Sequence, residues 1–204
     1  MLQQEYKIDE YGKEILLQDD KHQVMMEWEK SYMEACIDKL QPKGDVLEIG
    51  FGMGYSATQI QKYKPKSHTI IEMDSVVIKR LKKWSADYNN IHIVEGTWQS
   101  QMKNLGTFDE IFFDDFPLKE PDSFFEKKVL SERFSMFLDI CRYGHFKKNT
   151  KVSAYIHDPD GFFKKKMDEN LYYSYKEYYF NIKIPENCNY YRGDKGIIPI
   201  IKQR

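Results

Sequence analysis

The chain has 204 residues, the size of one domain, with 31 Lys and Arg against 32 Asp and Glu and a formal net charge of −1. This neutral balance argues against a nucleic-acid partner, which would need a basic surface. No apolar run reaches the roughly 18–20 residues of a membrane helix, and the N-terminus lacks a signal-peptide core, so we expect no membrane association. The three cysteines, Cys36, Cys141 and Cys188, fit neither a disulfide framework nor a metal site and favour a cytoplasmic protein without a metal.

In chain order, the first predicted element is a helix over Val24–Leu40, behind an N-terminal arm of undefined structure. Strand-like apolar runs separated by amphipathic stretches follow at Asp45–Ile49, Thr69–Glu72, His92–Val94, Glu110–Phe113 and Lys151–Ile156. Tyr175–Ile184 and Ile197–Lys202 read as two last strands with no helix between them. The pattern predicts an α/β fold: a doubly wound, mostly parallel sheet with a C-terminal antiparallel hairpin at its edge and an N-terminal helical lid.

The most informative segment joins the first of these strands to a helix through three glycines, Gly50, Gly52 and Gly54. Glycine is needed where a ligand approaches the backbone closely. Glu72 ends the next strand about 20 residues later, which suits a carboxylate that accepts the ribose hydroxyls of an adenosine. The pattern therefore predicts a nucleoside-containing cofactor.

Three interpretations of this loop remain open. A dinucleotide would place its pyrophosphate at the helix N-terminus, and a tight turn with solvent-facing acids would bind nothing. Glu48 lies inside the strand end and favours the third, S-adenosylmethionine, because an acid there suits a cationic amino and sulfonium group better than a pyrophosphate.

Two further acids stand out. Met25, Glu29 and Met33 follow one another at a spacing of four, which predicts a line along one helix face with Glu29 between two methionines. Such an acid should seek a cation, although a helix-edge acid paired with a lysine is the alternative. Asp114 follows the fourth core strand at the switch point of the sheet, where open α/β folds bind ligands; a turn or capping role is its alternative.

Together these motifs resemble the S-adenosylmethionine-dependent guanidino N-methyltransferases, of which guanidinoacetate N-methyltransferase is the nearest type. The resemblance covers the chain from Val24 to the C-terminus and includes related enzymes that methylate the δ-nitrogen of protein arginine. It implies a class I methyltransferase fold with seven strands. The segments that carry it are Val24–Met33, Val46–Gly54, Ile70–Glu72, Glu95–Gln99, Phe113–Pro117, Cys188–Tyr191 and Ile197–Ile200.

The resemblance also implies roles for individual residues. Glu29 and Asp114 would bind the substrate guanidinium. The predicted cofactor-binding residues include Glu48, Gly50 and Asp114, and those that the resemblance adds are Met25, Met33, Phe51, Gly52, Met53, Gly54, Tyr55, Ser56, Glu72, Met73, Asp74, Gly96 and Thr97. Two carboxylates suit a planar guanidinium, because its fork of N–H donors pairs with each of them bidentately. Asp114 is the predicted proton acceptor, and Glu29 orients and neutralises the substrate.

One segment departs from the guanidinoacetate enzymes. Their backbone N–H groups after the fifth strand hold the substrate carboxylate, whereas this chain has His157, Asp158, Pro159 and Asp160. Proline lacks that donor and the aspartates would repel a carboxylate. These residues instead predict a substrate with a neutral or cationic far end, such as an agmatine-like amine or an arginine in a peptide. The alternatives are a solvent-exposed turn for the aspartates and a strand-end position for His157.

We therefore predict one methyltransferase domain over residues 1–204, with a lid and substrate helix over 1–40 and a cofactor-binding core over 41–204. The expected partner is a small guanidino molecule, and an arginine peptide is the alternative. Two other classes compete with this prediction. A catalytically silent binding module would not need Glu29, Asp114 and Glu72, and a dinucleotide oxidoreductase would not need Glu48.

Overall fold

The computed structural model of the chain describes residues 4–115, 126–156 and 161–204. Short 3₁₀ turns cover Glu27–Glu29 and Met102–Asn104. The strands and helices of the described residues are, in chain order, β1 (Gln4–Ile8), β2 (Glu14–Gln18), β3 (His22–Met26), α1 (Lys30–Leu40), β4 (Asp45–Ile49), α2 (Tyr55–Lys62), β5 (Ser67–Glu72), α3 (Ser75–Ser85), β6 (Ile91–Glu95), α4 (Trp98–Gln101), β7 (Phe108–Phe113), α5 (Glu126–Arg142), β8 (Phe146–Ala154), α6 (Phe162–Asp168), β9 (Tyr173–Asn181) and β10 (Lys195–Gln203).

Seven strands form the main sheet, in the order β6-β5-β4-β7-β8-β10-β9. The first five of these pair in parallel, and β10 runs antiparallel to both β8 and β9. The predicted doubly wound, mostly parallel sheet with a C-terminal antiparallel hairpin is confirmed. The strand order reverses between β4 and β7, so the carboxyl ends of these two strands border the crevice in which such sheets bind ligands.

Both faces of the main sheet are covered by helices. Successive side chains of a strand point to opposite faces, so Val46 packs toward α1, α2 and α3, whereas Leu47 and Ile49 pack toward α4, α5 and α6. Each fully buried aliphatic or aromatic side chain of this kind stabilises the fold by roughly 1.5–3 kcal/mol. Glu48 shares the face of Val46. The two cores make the sheet a rigid support for the loops at its carboxyl edge.

The predicted start of the first helix is wrong. Val24 belongs to β3, and α1 begins only at Lys30. The physical reason is pairing with β2. Met25 lies opposite Leu16 and Met26 lies opposite Ile15, so the apolar run at residues 24–26 becomes part of an antiparallel sheet. Residues 4–26 form a three-stranded antiparallel sheet, called here the N-terminal sheet, where the prediction had an undefined arm and the start of a helical lid.

The N-terminal sheet is attached to the core by apolar contacts of Leu16 and Met25, which belong to the same buried cluster as side chains of α1 and α2, and by polar contacts. The Arg80 guanidinium binds the Glu14 carboxylate at 2.5 and 3.0 Å and lies over the Tyr6 ring, 4.4 Å from its centroid. The Tyr6 hydroxyl donates to the carbonyl of Gly52 at 2.6 Å. The sheet therefore covers the loop after β4. None of the helices in the described ranges has the length and apolarity to cross a bilayer.

Candidate active site

The loop between β4 and α2 has a backbone that favours glycine. Gly50, Gly52 and Gly54 adopt φ angles of +81°, +51° and +78°. A Cβ atom on Gly50 would lie 2.1 Å from the carbonyl oxygen of Asp114, and one on Gly52 would lie 2.8 Å from the Sδ atom of Met25. The glycine loop (residues 50–54) is therefore packed directly against the end of β7 and the N-terminal sheet.

Glu72 joins the glycine loop to the end of β5. One carboxylate oxygen accepts the backbone N–H of Phe51 at 2.9 Å, and the other accepts those of Met73 and Asp74 at 2.7 and 2.8 Å. Burial raises the pKa of Glu72, and these three donors oppose the rise. The carboxylate thus ties the end of β5 to the glycine loop after β4.

The other predicted cofactor residues fall into two groups. The first group packs at the glycine loop, where the Met53 N–H contacts the Met25 Sδ atom at 3.3 Å. The other buried side chains of this group are Met33, Phe51 and Ser56, and Tyr55 is half-buried. Others are helix caps, because the Asp74 carboxylate accepts the first N–H groups of α3 and the Thr97 hydroxyl that of Ser100 in α4. Gly96 has a φ angle of +132°, and Met73 is exposed.

Glu29 is a buried carboxylate in the turn between β3 and α1, with 3% of its surface exposed. It accepts the backbone N–H of Met26 at 2.9 Å and the hydroxyl of Tyr190. The Trp28 ring lies 6.3 Å from Tyr190 and 5.2 Å from Tyr191, measured between centroids. Burial raises the pKa of Glu29 to about 7, although the two hydrogen bonds lower it. Glu29 is therefore enclosed by aromatic rings and titrates near neutral pH.

Asp114 follows β7 and faces the same region. Burial raises its pKa well above the ordinary value for an aspartate, and the charges of Glu29 and Glu48 raise it further. Among the described residues, no side chain forms a hydrogen bond or ion pair with its carboxylate. The neighbouring Asp115 differs, since Arg133 binds it through Nε at 2.6 Å. Within the described ranges, one of these adjacent aspartates is thus paired with an arginine and the other has no cationic partner.

Four acids thus share one region in which no Lys or Arg among the described residues pairs with any of them. Within the described part of the chain, none of Glu29, Glu48, Glu72 and Asp114 pairs with Lys or Arg. Glu48 is fully buried, and the His68 Nε2 atom lies 2.9 Å from one of its carboxylate oxygens, although neither carboxylate oxygen has a hydrogen-bond partner among the described residues. Burying several uncompensated carboxylates is unfavourable, so the arrangement is suited to a ligand that brings positive charge.

Tyr155 and Tyr190 are site residues to which sequence reasoning gave no role. Tyr155 follows β8 at the carboxyl edge of the sheet, and its phenol influences the pKa of Glu29. Its position at the end of a strand could have marked Tyr155 as a site residue from sequence. Tyr190 lies in the connection between β9 and β10, and in the sequence it was visible only within the family segment Cys188–Tyr191. His157, Asp158 and Asp160 lie outside the described residues, so their predicted role remains a prediction.

Known proteins include relatives that are similar to this chain in sequence. A family model described as guanidinoacetate N-methyltransferase matches residues 5–138. Protein arginine N-methyltransferase 2 of Saccharomyces cerevisiae is 37% identical over 118 residues, covering 54% of this chain and 27% of that protein. Its namesake from Candida glabrata is 38% identical over 107 residues, covering 49% and 26%. The chain spans about a quarter of the length of these curated relatives.

Solved structures share the fold at low sequence identity. Precorrin-6y C5,15-methyltransferase from Geobacter metallireducens has a TM-score of 0.62 at 12% identity, covering 85% of this chain and 88% of that one. Spermidine synthase from Thermotoga maritima has a TM-score of 0.65 at 19% identity, covering 97% and 69%. The predicted class I methyltransferase fold is confirmed. Since the family model covers well over half of its length, the chain belongs to the guanidinoacetate N-methyltransferase family.

Proposed function

We propose that the protein is an S-adenosylmethionine-dependent N-methyltransferase that methylates a guanidino nitrogen of a small molecule. The observation that carries the proposal is a pair of acids near the carboxyl edge of the sheet, the buried Glu29 and the partly buried Asp114. Both have raised pKa values, and neither has a basic partner among the described residues. A cationic guanidinium would supply the charge that both carboxylates lack.

The residues around the glycine loop fit the proposed cofactor. Glu48 is a buried carboxylate without a Lys or Arg partner in the described chain, which would repel a pyrophosphate and attract an amino or sulfonium cation. The backbone of Gly50–Gly54 and the carboxylate of Glu72 would hold the ligand. When bound, S-adenosylmethionine supplies an electrophilic methyl group on its sulfonium.

The remaining chemistry belongs to the chain's own side chains. Glu29 and Asp114 would accept hydrogen bonds from different edges of the guanidinium plane and so fix its orientation. The attacking nitrogen must lose a proton as its bond to carbon forms, and a carboxylate oxygen of Asp114 would accept it. A guanidinium in water keeps its protons, so proton transfer would accompany the attack rather than precede it.

The aromatic side chains would keep this reaction dry. Trp28, Tyr190 and Tyr191 pack around the Glu29 carboxylate, and burial is the main cause of its raised pKa. In a dry site the attraction between a carboxylate and a guanidinium exceeds its value in water. The rings would therefore strengthen substrate binding through the acid that they enclose.

An arginine side chain in a peptide or protein is the second candidate substrate. The curated relatives are named protein arginine N-methyltransferases, which favours it. Trp28 also lines a surface groove of about 360 Å³ whose wall includes Tyr11 and Pro185. A groove lined by Trp28 would have room for residues that flank an arginine.

Two experiments test the proposal. Calorimetric titration with S-adenosylmethionine, S-adenosylhomocysteine and NAD should show binding of the two adenosyl ligands; tight binding of NAD alone would refute the proposal. Incubation with labelled S-adenosylmethionine and guanidinoacetate, agmatine, arginine or an arginine peptide identifies the substrate. The acids at Asp158 and Asp160 lead us to expect that agmatine or the peptide is methylated faster than guanidinoacetate.

A further inference from the structure

Gln18 in β2 is a fully buried side chain whose polar atoms have no partner. None of its surface is exposed, and neither its side-chain oxygen nor its side-chain nitrogen forms a hydrogen bond within the described ranges. Burying a carboxamide without hydrogen bonds is unfavourable, and folded proteins rarely keep one unless a further group completes it. The mechanism proposed above makes no use of this side chain.

The N-terminal sheet turns Gln18 toward the core. Alternate residues of a strand share a face, and Leu16, two residues earlier, lies in the same buried cluster as Met53 of the glycine loop. Leu16 pairs with Tyr6 of β1, whose hydroxyl donates to the carbonyl of Gly52 at 2.6 Å. The face of the N-terminal sheet that carries Gln18 therefore rests on the glycine loop.

Along this face, Gln18 lies on the side of Leu16 that is nearer to the end of β5. Gln18 pairs with Gln4 of β1. The backbone N–H of Gln4 contacts a carboxylate oxygen of Asp74 at 3.4 Å, and Asp74 follows Glu72 by two residues. Gln18 therefore lies where the N-terminal sheet spans from the glycine loop to the end of β5, beside the predicted acceptor of ribose hydroxyls.

The neutral carboxamide distinguishes Gln18 from the buried acids of this region. An ionised carboxylate offers only acceptors and suits a cation, whereas a carboxamide offers an N–H₂ donor and an oxygen acceptor. The nucleoside of S-adenosylmethionine is uncharged and presents both kinds of group, as ribose hydroxyls and as a purine amino group beside a ring nitrogen. Gln18 therefore suits the nucleoside of the cofactor better than its cationic end.

We propose that the Gln18 carboxamide binds the nucleoside of the adenosyl cofactor, which makes the N-terminal sheet part of the cofactor site. The inference rests on the proposed function, because it assumes that the cofactor is an adenosyl compound. In the ligand-free protein the unpaired carboxamide is a cost, and the bound nucleoside removes that cost by supplying its hydrogen bonds.

The test measures the dissociation constants of S-adenosylhomocysteine and 5′-methylthioadenosine by calorimetry. The second ligand keeps the nucleoside and lacks the amino-acid end of the first. Gln18→Met keeps an unbranched side chain of similar length and removes both polar atoms, so we expect it to weaken both ligands about tenfold. A loss confined to S-adenosylhomocysteine would assign Gln18 to the amino-acid end and overturn the inference. Affinities within about twofold of wild type for both ligands would also overturn it.

Gln23→Met is the matched control. Gln23 pairs with Leu17 and so lies on the opposite face of the N-terminal sheet, where its side chain donates to the Asn187 carbonyl and accepts the Asn189 N–H, both at 2.7 Å. This variant should keep both affinities within about twofold of wild type and should melt at a lower temperature, because it loses two hydrogen bonds.

Melting of the ligand-free protein separates a binding role from a structural one. Gln18→Met should melt at the wild-type temperature or above it, because its carboxamide has no hydrogen bond to lose. A fall as large as that of Gln23→Met would show that the carboxamide stabilises the fold instead, and the inference would be wrong.

The wild-type protein offers a further measurement if Gln18→Met does not fold. In nitrogen-15 NMR, S-adenosylhomocysteine should shift the side-chain amide signals of Gln18 more than those of Gln23, and unchanged Gln18 signals at saturation would contradict the inference. Wild-type protein that binds neither adenosyl ligand would refute the proposed function itself. Wild-type affinity in Gln18→Met overturns only the role of Gln18.

Discussion

Replacing Glu29 with glutamine should make the ligand-free protein more stable in alkaline solution. In the folded chain the pKa of Glu29 rises from 4.5 to about 7. Between these values the folded state binds a proton that the unfolded state releases, so the free energy of unfolding falls as pH rises. The loss is complete above about pH 7 and amounts to roughly 3 kcal/mol, since one pKa unit corresponds to about 1.4 kcal/mol.

Glu29→Gln removes this pH-dependent loss because the amide does not ionise. The amide oxygen can still accept the Met26 N–H and the Tyr190 hydroxyl. We expect the variant to exceed wild type by about 3 kcal/mol at about pH 8 and by less than about 1 kcal/mol near pH 5. The alkaline gain should raise the melting temperature by roughly 6–12 °C for a chain of this size.

Urea unfolding followed by tryptophan fluorescence at both pH values measures the difference. Glu34→Gln is the matched control, because Glu34 lies on α1, has 32% of its side chain exposed and pairs with Lys62 at 3.6 Å. It should change stability by less than about 0.5 kcal/mol at either pH. An equal gain in stability for Glu29→Gln at both pH values, or no gain at the alkaline pH, would show that burial does not raise the pKa of Glu29.

Asp114→Asn should slow methyl transfer at least a hundredfold while the calorimetric affinity for S-adenosylmethionine is kept; a loss below about tenfold would exclude Asp114 as the proton acceptor. Tyr190→Phe removes a hydrogen bond that lowers the pKa of Glu29, so the pH midpoint for substrate binding should move upward, and an unchanged midpoint would contradict this. Gly50→Ala places a Cβ atom 2.1 Å from the Asp114 carbonyl oxygen and should lower the free energy of unfolding, measured with urea, by at least about 2 kcal/mol. Gly106→Ala is the control, because its added Cβ atom would have no neighbour within 4 Å, and it should be nearly neutral in the same assay.

The main sheet could be predicted from sequence because its strands are short apolar runs bounded by turns. Asp45–Ile49 was predicted with its observed bounds, and the last two strands were expected as an antiparallel pair. The glycine loop was equally visible, since its positive φ angles leave a glycine signature. The order of apolar residues and glycines along the chain was therefore sufficient to predict these elements, because neighbouring residues determine their structure.

The N-terminal region was harder because its structure depends on distant partners. Met25 and Glu29 have helical spacing, yet β2 captures Met25 as a strand residue. Tyr190 reaches Glu29 across 161 positions of sequence, which no spacing rule could anticipate. His68 carried no partner signal, since its contacts with Glu48 and Gln61 exist only once β4, β5 and α2 have packed together.

Two kinds of contact attach the N-terminal sheet to the rest of the molecule. Leu16 and Met25 belong to the apolar core that also includes side chains of α1 and α2, whereas the bidentate tie between Arg80 and Glu14 leaves about a third of each side chain in solvent. Ion pairs this exposed weaken as salt rises. Salt should therefore weaken the tie at Arg80 while the apolar contacts keep the N-terminal sheet in place. Because Tyr6 contacts both Arg80 and the glycine loop, ionic strength should affect how fast ligands exchange at that loop even where it leaves the chemical step unchanged.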